Sequence, residues 1–124
     1  MTSDSVVLDS NIVVFLFNGD HRLAKQLDRM RLHLSVVSKI ELYSWRDIEG
    51  EQLTKLDAFM SRCSIVELDS DIQAAAIRLR RAMRLTVADA IVAATAQVLG
   101  QPLFTGDQAL RKLAHEVRLI MYEP

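Results

Sequence analysis

Val6-Val7-Leu8-Asp9-Ser10-Asn11 is the stretch whose reading decides the fold. Three apolar residues in succession end in a carboxylate, a hydroxyl and an amide. The run is short and shows no alternation, the pattern of a strand buried on both faces. An acid at the end of such a strand stands at the rim of a parallel sheet, where open α/β folds place their ligands. Asp9 is therefore the first candidate for a functional site.

Outward from that stretch, apolar runs and helical spacings take turns. Ile12 to Phe17 predicts a short helix stopped by Asn18-Gly19-Asp20, and Leu23, Ala24, Leu27 and Met30 predict a second. Leu34 to Val37 reads as a strand. Ser38-Lys39-Ile40-Glu41 then opens a helix carrying Leu42 and Trp45, which Gly50 breaks. Leu53, Leu56, Phe59, Met60 and Cys63 mark another helix, and Ile65 to Leu68 a third strand ended by Asp69-Ser70-Asp71. The next helix turns Ile72, Ala75, Ala76, Leu79, Ala82 and Met83 inward. Ala88 to Leu99 is apolar almost all round, which predicts a helix buried inside the molecule. Leu103-Phe104 begins a fourth strand, Leu110 and Leu113 sit on a short helix, and Val117 to Met121 forms a fifth strand. This alternation predicts one α/β domain over residues 1–124, with a central parallel sheet of about five strands flanked by helices on both faces.

Composition narrows the function classes. A net charge of −1 gives no global attraction to nucleic acid or acidic membrane, so any such pull must be local. The single cysteine, Cys63, excludes an internal disulfide and suits a reducing cytosol. No apolar run is long enough to span a bilayer, and Met-Thr-Ser-Asp lacks the features of a signal peptide. A small cytoplasmic domain is expected.

Four acids stand out, and each has an ordinary structural explanation. Asp9 precedes a helix and suits an N-cap. Glu41 lies three residues after Ser38, and Asp89 three after Thr86, the spacing of a capping box. Asp107 suits a turn or cap. As a set they say more. Asp9, Glu41 and Asp107 each follow an apolar strand-like run, so a parallel sheet brings them to one rim. Asp89 opens the helix expected to be most buried, where an unpaired charge is costly. Converging acids without Lys or Arg repel one another, and a hard divalent cation such as Mg²⁺ or Mn²⁺ relieves the conflict. Zinc fits less well, because His21, His33 and His115 are far apart in sequence and read as surface residues. Asp69 and Asp71 read as caps of the following helix, and Asp47, Glu49 and Glu51 as a solvated polar break.

These motifs together resemble the PIN-domain family, in particular VapC-type toxin ribonucleases of prokaryotic toxin–antitoxin pairs. The likeness is carried by Asp9-Ser10-Asn11, Ser38-x-x-Glu41-Leu42, Val87 to Ala96 and Leu103-Phe104-Thr105-Gly106-Asp107, and it spans essentially the whole chain. It implies a Mg²⁺- or Mn²⁺-dependent endoribonuclease with Asp9, Glu41, Asp89 and Asp107 as metal-binding acids. Ser10 and Thr105 would support them through hydroxyl hydrogen bonds. It further implies an RNA substrate, a 5′-phosphate on one product, a homodimer and a cognate antitoxin protein. One departure is visible: many relatives carry another acid about three residues after the position of Asp107, where Ala109-Leu110 stands here.

The chemistry so suggested is hydrolysis of a phosphodiester by metal-activated water. Arg78, Arg80, Arg81 and Arg84 form the densest basic cluster and, with Lys39, are candidate phosphate contacts; for the arginines a solvated helix face is the favoured reading. Tyr43 and Trp45 suit either the core or a patch facing a partner. Two other classes stay open. One is a binding or regulatory module on the same fold with a weakened metal site. The other is a strand-end-aspartate phosphatase or phospho-acceptor receiver, disfavoured by Asn11 where a second Asp is wanted and by Thr105 where a Lys is wanted.

Overall fold

The computed structural model describes residues 4–124. Strands β1 (Ser5–Leu8), β2 (Arg31–Ser35), β3 (Ser64–Val66), β4 (Leu103–Thr105) and β5 (Leu119–Met121) form one sheet. Its order is β3-β2-β1-β4-β5, and every neighbouring pair is parallel. Six α-helices and one 3₁₀ helix connect them: α1 (Ser10–Phe17), α2 (His21–Leu27), α3 (Val36–Tyr43), α4 (Gly50–Arg62), α5 (Ser70–Ala82), α6 (Val87–Leu99) and the 3₁₀ segment Gln108–Leu113.

β1 takes the centre because Val6, Val7 and Leu8 are apolar on both of its faces. Val6 and Leu8 join one core with Ile12, Leu23, Leu42 and Leu56 from α1 to α4. Val7 points the other way, into a core with Leu79 of α5 and the alanines of α6. The expected helix layers on both faces are present. Val6, Val7 and Leu8 of β1 are 0–1% exposed, and full burial of each contributes roughly 1.5–3 kcal/mol. α6 is the most buried helix, as its composition predicts. Ala90, Ala93, Ala94 and Ala96 are fully buried, and such short side chains let the helix lie close against its neighbours.

Several boundaries differ from the reading of the sequence. The second strand is Arg31–Ser35, and Val36 and Val37 lie in the first turn of α3. Ser35 causes the switch: its hydroxyl accepts from the Val37 N–H at 3.2 Å and caps the helix, which outweighs the β preference of two valines. The expected Ser38–Glu41 capping box is therefore absent, and Ser38 is buried inside the helix. Gly50 does not break a helix but begins α4 at φ +56°, a left-handed conformation that glycine adopts without strain. α3 ends at Tyr43, leaving Trp45 outside it. Ala82, expected inward, is exposed at the end of α5, and Val98 and Leu99 are exposed at the end of α6. β3 and β5 are shorter than expected, as suits edge strands. His33 is partly buried rather than on the surface.

Candidate functional site

The sheet order reverses between β1 and β4: the chain leaves β1 for β2 on one side and returns to pair β4 on the other. The crevice above such a reversal is where ligands bind in open α/β sheets. Asp9 closes β1 at this point and is only 6% exposed. Its backbone N–H donates to the Phe104 carbonyl at 2.9 Å, which fixes the residue against β4. The Ser10 N–H donates to Oδ1 at 2.9 Å, and the Thr105 hydroxyl donates to Oδ2 at 2.7 Å. Asp9 is thus the N-cap of α1, and its second oxygen reaches across to the neighbouring strand.

Asn11, which sequence reasoning passed over, completes this arrangement. Its Nδ2 donates to Asp9 Oδ2 at 3.4 Å, and its Oδ1 accepts from the Gly106 N–H at 3.0 Å. Gly106 has no room for a side chain, since a Cβ there would lie 2.6 Å from the Phe15 ring. The Thr105 hydroxyl accepts in turn from the Asp107 N–H at 3.0 Å. Asp107 caps the 3₁₀ helix through Ala109 N–H at 2.9 Å. The expected hydroxyl support holds for Thr105, whereas Ser10 is seen to support Asp9 through its backbone N–H. An amide two residues after a strand-end acid was the available signal for Asn11.

Asp89 sits in the first turn of α6, where its N–H donates to the Thr86 hydroxyl at 3.0 Å. Thr86 is the cap, so the Asp89 carboxylate is not needed for that purpose. Glu41 comes from two turns along α3 rather than from a strand end. Electrostatics tie the four together. Burial pushes the Asp9 carboxyl above its ordinary 3.8, and the charges of Asp89 and Asp107 add to the rise; the Thr105 and Ser10 hydrogen bonds partly oppose it. Glu41 is likewise raised above 4.5, first by desolvation and then by Asp9 and Asp89. No Lys or Arg pairs with any of the four among the described residues, where the one ion pair is Lys55–Glu51. The four do not close into a ready cage: among the described residues no three acidic, His or Cys groups lie close enough to hold an ion. That donor set still suits a hard cation. Mg²⁺ takes one or two carboxylates and keeps several waters, so three preformed protein ligands are not required.

The basic residues are less uniform than the sequence suggests. Arg80 Nε donates to the Leu85 carbonyl at 3.1 Å and braces the turn between α5 and α6. The Arg84 carbonyl accepts from Lys112 Nζ, so this turn lies beside the 3₁₀ helix that Asp107 begins. Arg78, Arg81, Arg84 and Lys39 are exposed.

A parallel five-stranded sheet with an unpaired acidic rim at its reversal point defines a class of strand-end, acid-bearing α/β domains. Within that class, the PIN-domain family model matches residues 6–116, and the chain belongs to that family. Comparison with curated protein sequences finds no match. Among solved structures, a toxin–antitoxin complex from Klebsiella pneumoniae is 23% identical, with TM-score 0.78, 96% of this chain and 99% of that chain covered. VapBC2 from Rickettsia felis, bound to a promoter DNA fragment, is 18% identical with TM-score 0.81, covering 96% and 99%. VapBC-5 from Mycobacterium tuberculosis, a member of the VapBC toxin–antitoxin family, is 25% identical with TM-score 0.69, covering 95% and 98%.

Proposed function

We propose that this chain is a Mg²⁺- or Mn²⁺-dependent endoribonuclease and the toxin of a toxin–antitoxin pair. The observation that carries the reading is Asp9: a buried carboxylate at the β1–β4 crevice, without a cationic partner among the described residues, in the field of Asp89 and Asp107. Membership of the PIN family and likeness to VapBC complexes support the assignment. A divalent cation held here supplies water activation and charge neutralisation at a phosphodiester. Asp9 is the first ligand, because strand and cap fix its position. Glu41 and Asp89 complete the acidic shell, Asp107 orients the incoming water, and Thr105 holds Asp9 in place. Lys39, Arg78, Arg81 and Arg84 contact the phosphates of the strand, while Arg80 braces the turn that carries Arg84. The partners in this reading are an RNA substrate, a cognate antitoxin and a second copy of the chain, in the cytoplasm. The exposed Ile40 and Trp45, on and just beyond α3, suit a protein partner. No helix among the described residues is long and apolar enough to cross a membrane.

The test is cleavage of a mixed RNA with rising Mn²⁺. Asp9→Asn keeps a cap-competent side chain and is expected to fold, while cleavage falls by at least about a hundredfold. Substantial residual cleavage removes Asp9 from the role of primary ligand. The lack of a closed three-ligand set favours one second reading, a PIN-fold module acting only through its partner. A folded protein that shows neither Mn²⁺ binding at millimolar concentration nor cleavage supports that module instead.

A further inference from the structure

The turn after β4 carries Thr105 and Asp107, and it is held from two sides. On the β1 side stand Asp9 and Asn11, already described. On the other side stands Tyr122, one residue past the end of β5. Its backbone N–H donates to the Thr105 carbonyl at 2.9 Å, which extends the ladder in which Thr105 pairs with Met121. Its ring is buried, with its centroid 6.1 Å from that of Phe15 and 5.9 Å from that of Phe104. Gly106 lies in the angle so formed: a Cβ there would stand 2.6 Å from the Phe15 ring and 3.4 Å from the Tyr122 carbonyl oxygen.

Packing alone does not ask for a tyrosine, since a phenylalanine fills nearly the same space. The hydroxyl is what is anchored. It donates to Asp20 Oδ2 at 2.7 Å and accepts from Arg22 Nε at 3.3 Å. The Arg22 guanidinium also lies over the Tyr122 ring, 5.1 Å from its centroid, and donates to the Glu123 carbonyl. Asp20 is itself fixed, because its other oxygen accepts from the Leu23 N–H at 3.0 Å and caps α2. The start of α2 thus grips the residue that follows β5. β5 needs the support: it is an edge strand of three residues, paired on one side only. Such an end opens locally at little cost unless something outside the ladder ties it down.

We propose that Tyr122 is a positioning residue for the acidic rim. Anchored by Asp20 and Arg22, it keeps Phe15 against Gly106 and holds the Thr105 backbone, so that the Thr105 hydroxyl stays on Asp9 Oδ2. Tyr122 reaches Asp9 only through Thr105. The tolerance is small: a liganding carboxylate works within about 0.5 Å of its proper place, and the groups that orient it are felt in metal affinity. The effect on a cation rests on the metal-dependent reading above, whereas the clamp on the turn does not.

Tyr122→Phe in the full chain removes both hydroxyl bonds and keeps the ring. Met60→Ala, on α4 and in the same core layer, controls for a general loss of stability. Amide hydrogen exchange of Gly106 is measured without metal, as a ratio to the slowest-exchanging amides of α6 in the same variant. Mn²⁺ is then titrated into the folded proteins and followed by water-proton relaxation. Tyr122→Phe is expected to raise the Gly106 ratio about fivefold and to weaken Mn²⁺ binding about fivefold, the equivalent of one net hydrogen bond. Met60→Ala should do neither. An unchanged ratio in Tyr122→Phe, or an equal rise in Met60→Ala, overturns the proposal. So does a raised ratio with Mn²⁺ affinity equal to that of the unaltered chain, which makes Tyr122 a structural contact only. A raised ratio in a protein whose unaltered form binds no Mn²⁺ upholds the clamp and removes the metal-dependent reading instead.

Discussion

Asn11 ties the turn after β4 to the turn after β1, and the orientation of Asp9 depends on both. Removing the Asn11 side chain strands the Gly106 N–H, which it alone accepts from. Asn11→Ala should therefore cost about 1–3 kcal/mol in chemical denaturation, a penalty set by the orphaned donor more than by the lost contact. Gly106→Ala is expected to cost a similar amount, about 1–3 kcal/mol, for a different reason: the new methyl drives into the Phe15 ring, which packs against Tyr122. In both variants, weaker Mn²⁺ affinity should accompany the loss of stability. Cys63 shows the opposite behaviour for a reactive group. Burial pushes its thiol up to about 11, so iodoacetamide at neutral pH should modify the folded chain far more slowly than the unfolded one.

At the level of helices and strands, caps decide what the sequence leaves open. Thr86 caps α6, and Thr86→Ala should lower stability by about 1 kcal/mol while loosening the turn that carries Asp89. Asp89→Asn tests the converse. Its carboxylate accepts no hydrogen bond among the described residues, and its charge raises both Asp9 and Glu41, so metal-free stability should stay level or improve. A loss of several kcal/mol in a thermal melt would instead assign Asp89 a structural bond. The contrast between elements explains which parts of the fold were legible. β1 and α6 are apolar in every direction, so burial dictates them and the sequence states it directly. β2 lies earlier than its valines suggest because the Ser35 cap starts α3 at Val36, with Leu32 and Leu34 packed against the α1–α4 layer. The strand-end acids were legible as residues. Their spacing from one another was not, because it depends on where α3 and α6 lie against the sheet. Asn11 and Gly106 stand in the quoted motifs, but their roles were not legible because their work is done across the sheet, on partners more than ninety positions away.

For the molecule as a whole, the acidic rim sets how stability responds to pH. Asp9 and Glu41 both hold their protons more tightly when folded than their ordinary 3.8 and 4.5. Between those values and the raised ones, the folded state binds more protons than the unfolded chain, so stability falls as pH rises through that window. Metal-free protein should accordingly melt higher at the acidic end of that window than above it, and Asp9→Asn should flatten the difference. Asp20 acts in the other direction, since the Tyr122 hydroxyl holds its carboxyl below 3.8; its contribution is lost only at more acidic pH. Saturating Mn²⁺ should reverse the trend at neutral pH, because a cation favours the ionised acids. The Thr105–Asp9 bond has a further consequence, for the order of assembly. Its two ends lie 96 positions apart, and β1 waits with one flank bare until β4 exists to cover it. A growing polypeptide thus carries Asp9 out of the ribosome long before the hydroxyl that will orient it. Under the proposed function, a copy still short of β4 would lack an oriented Asp9 and would not cleave.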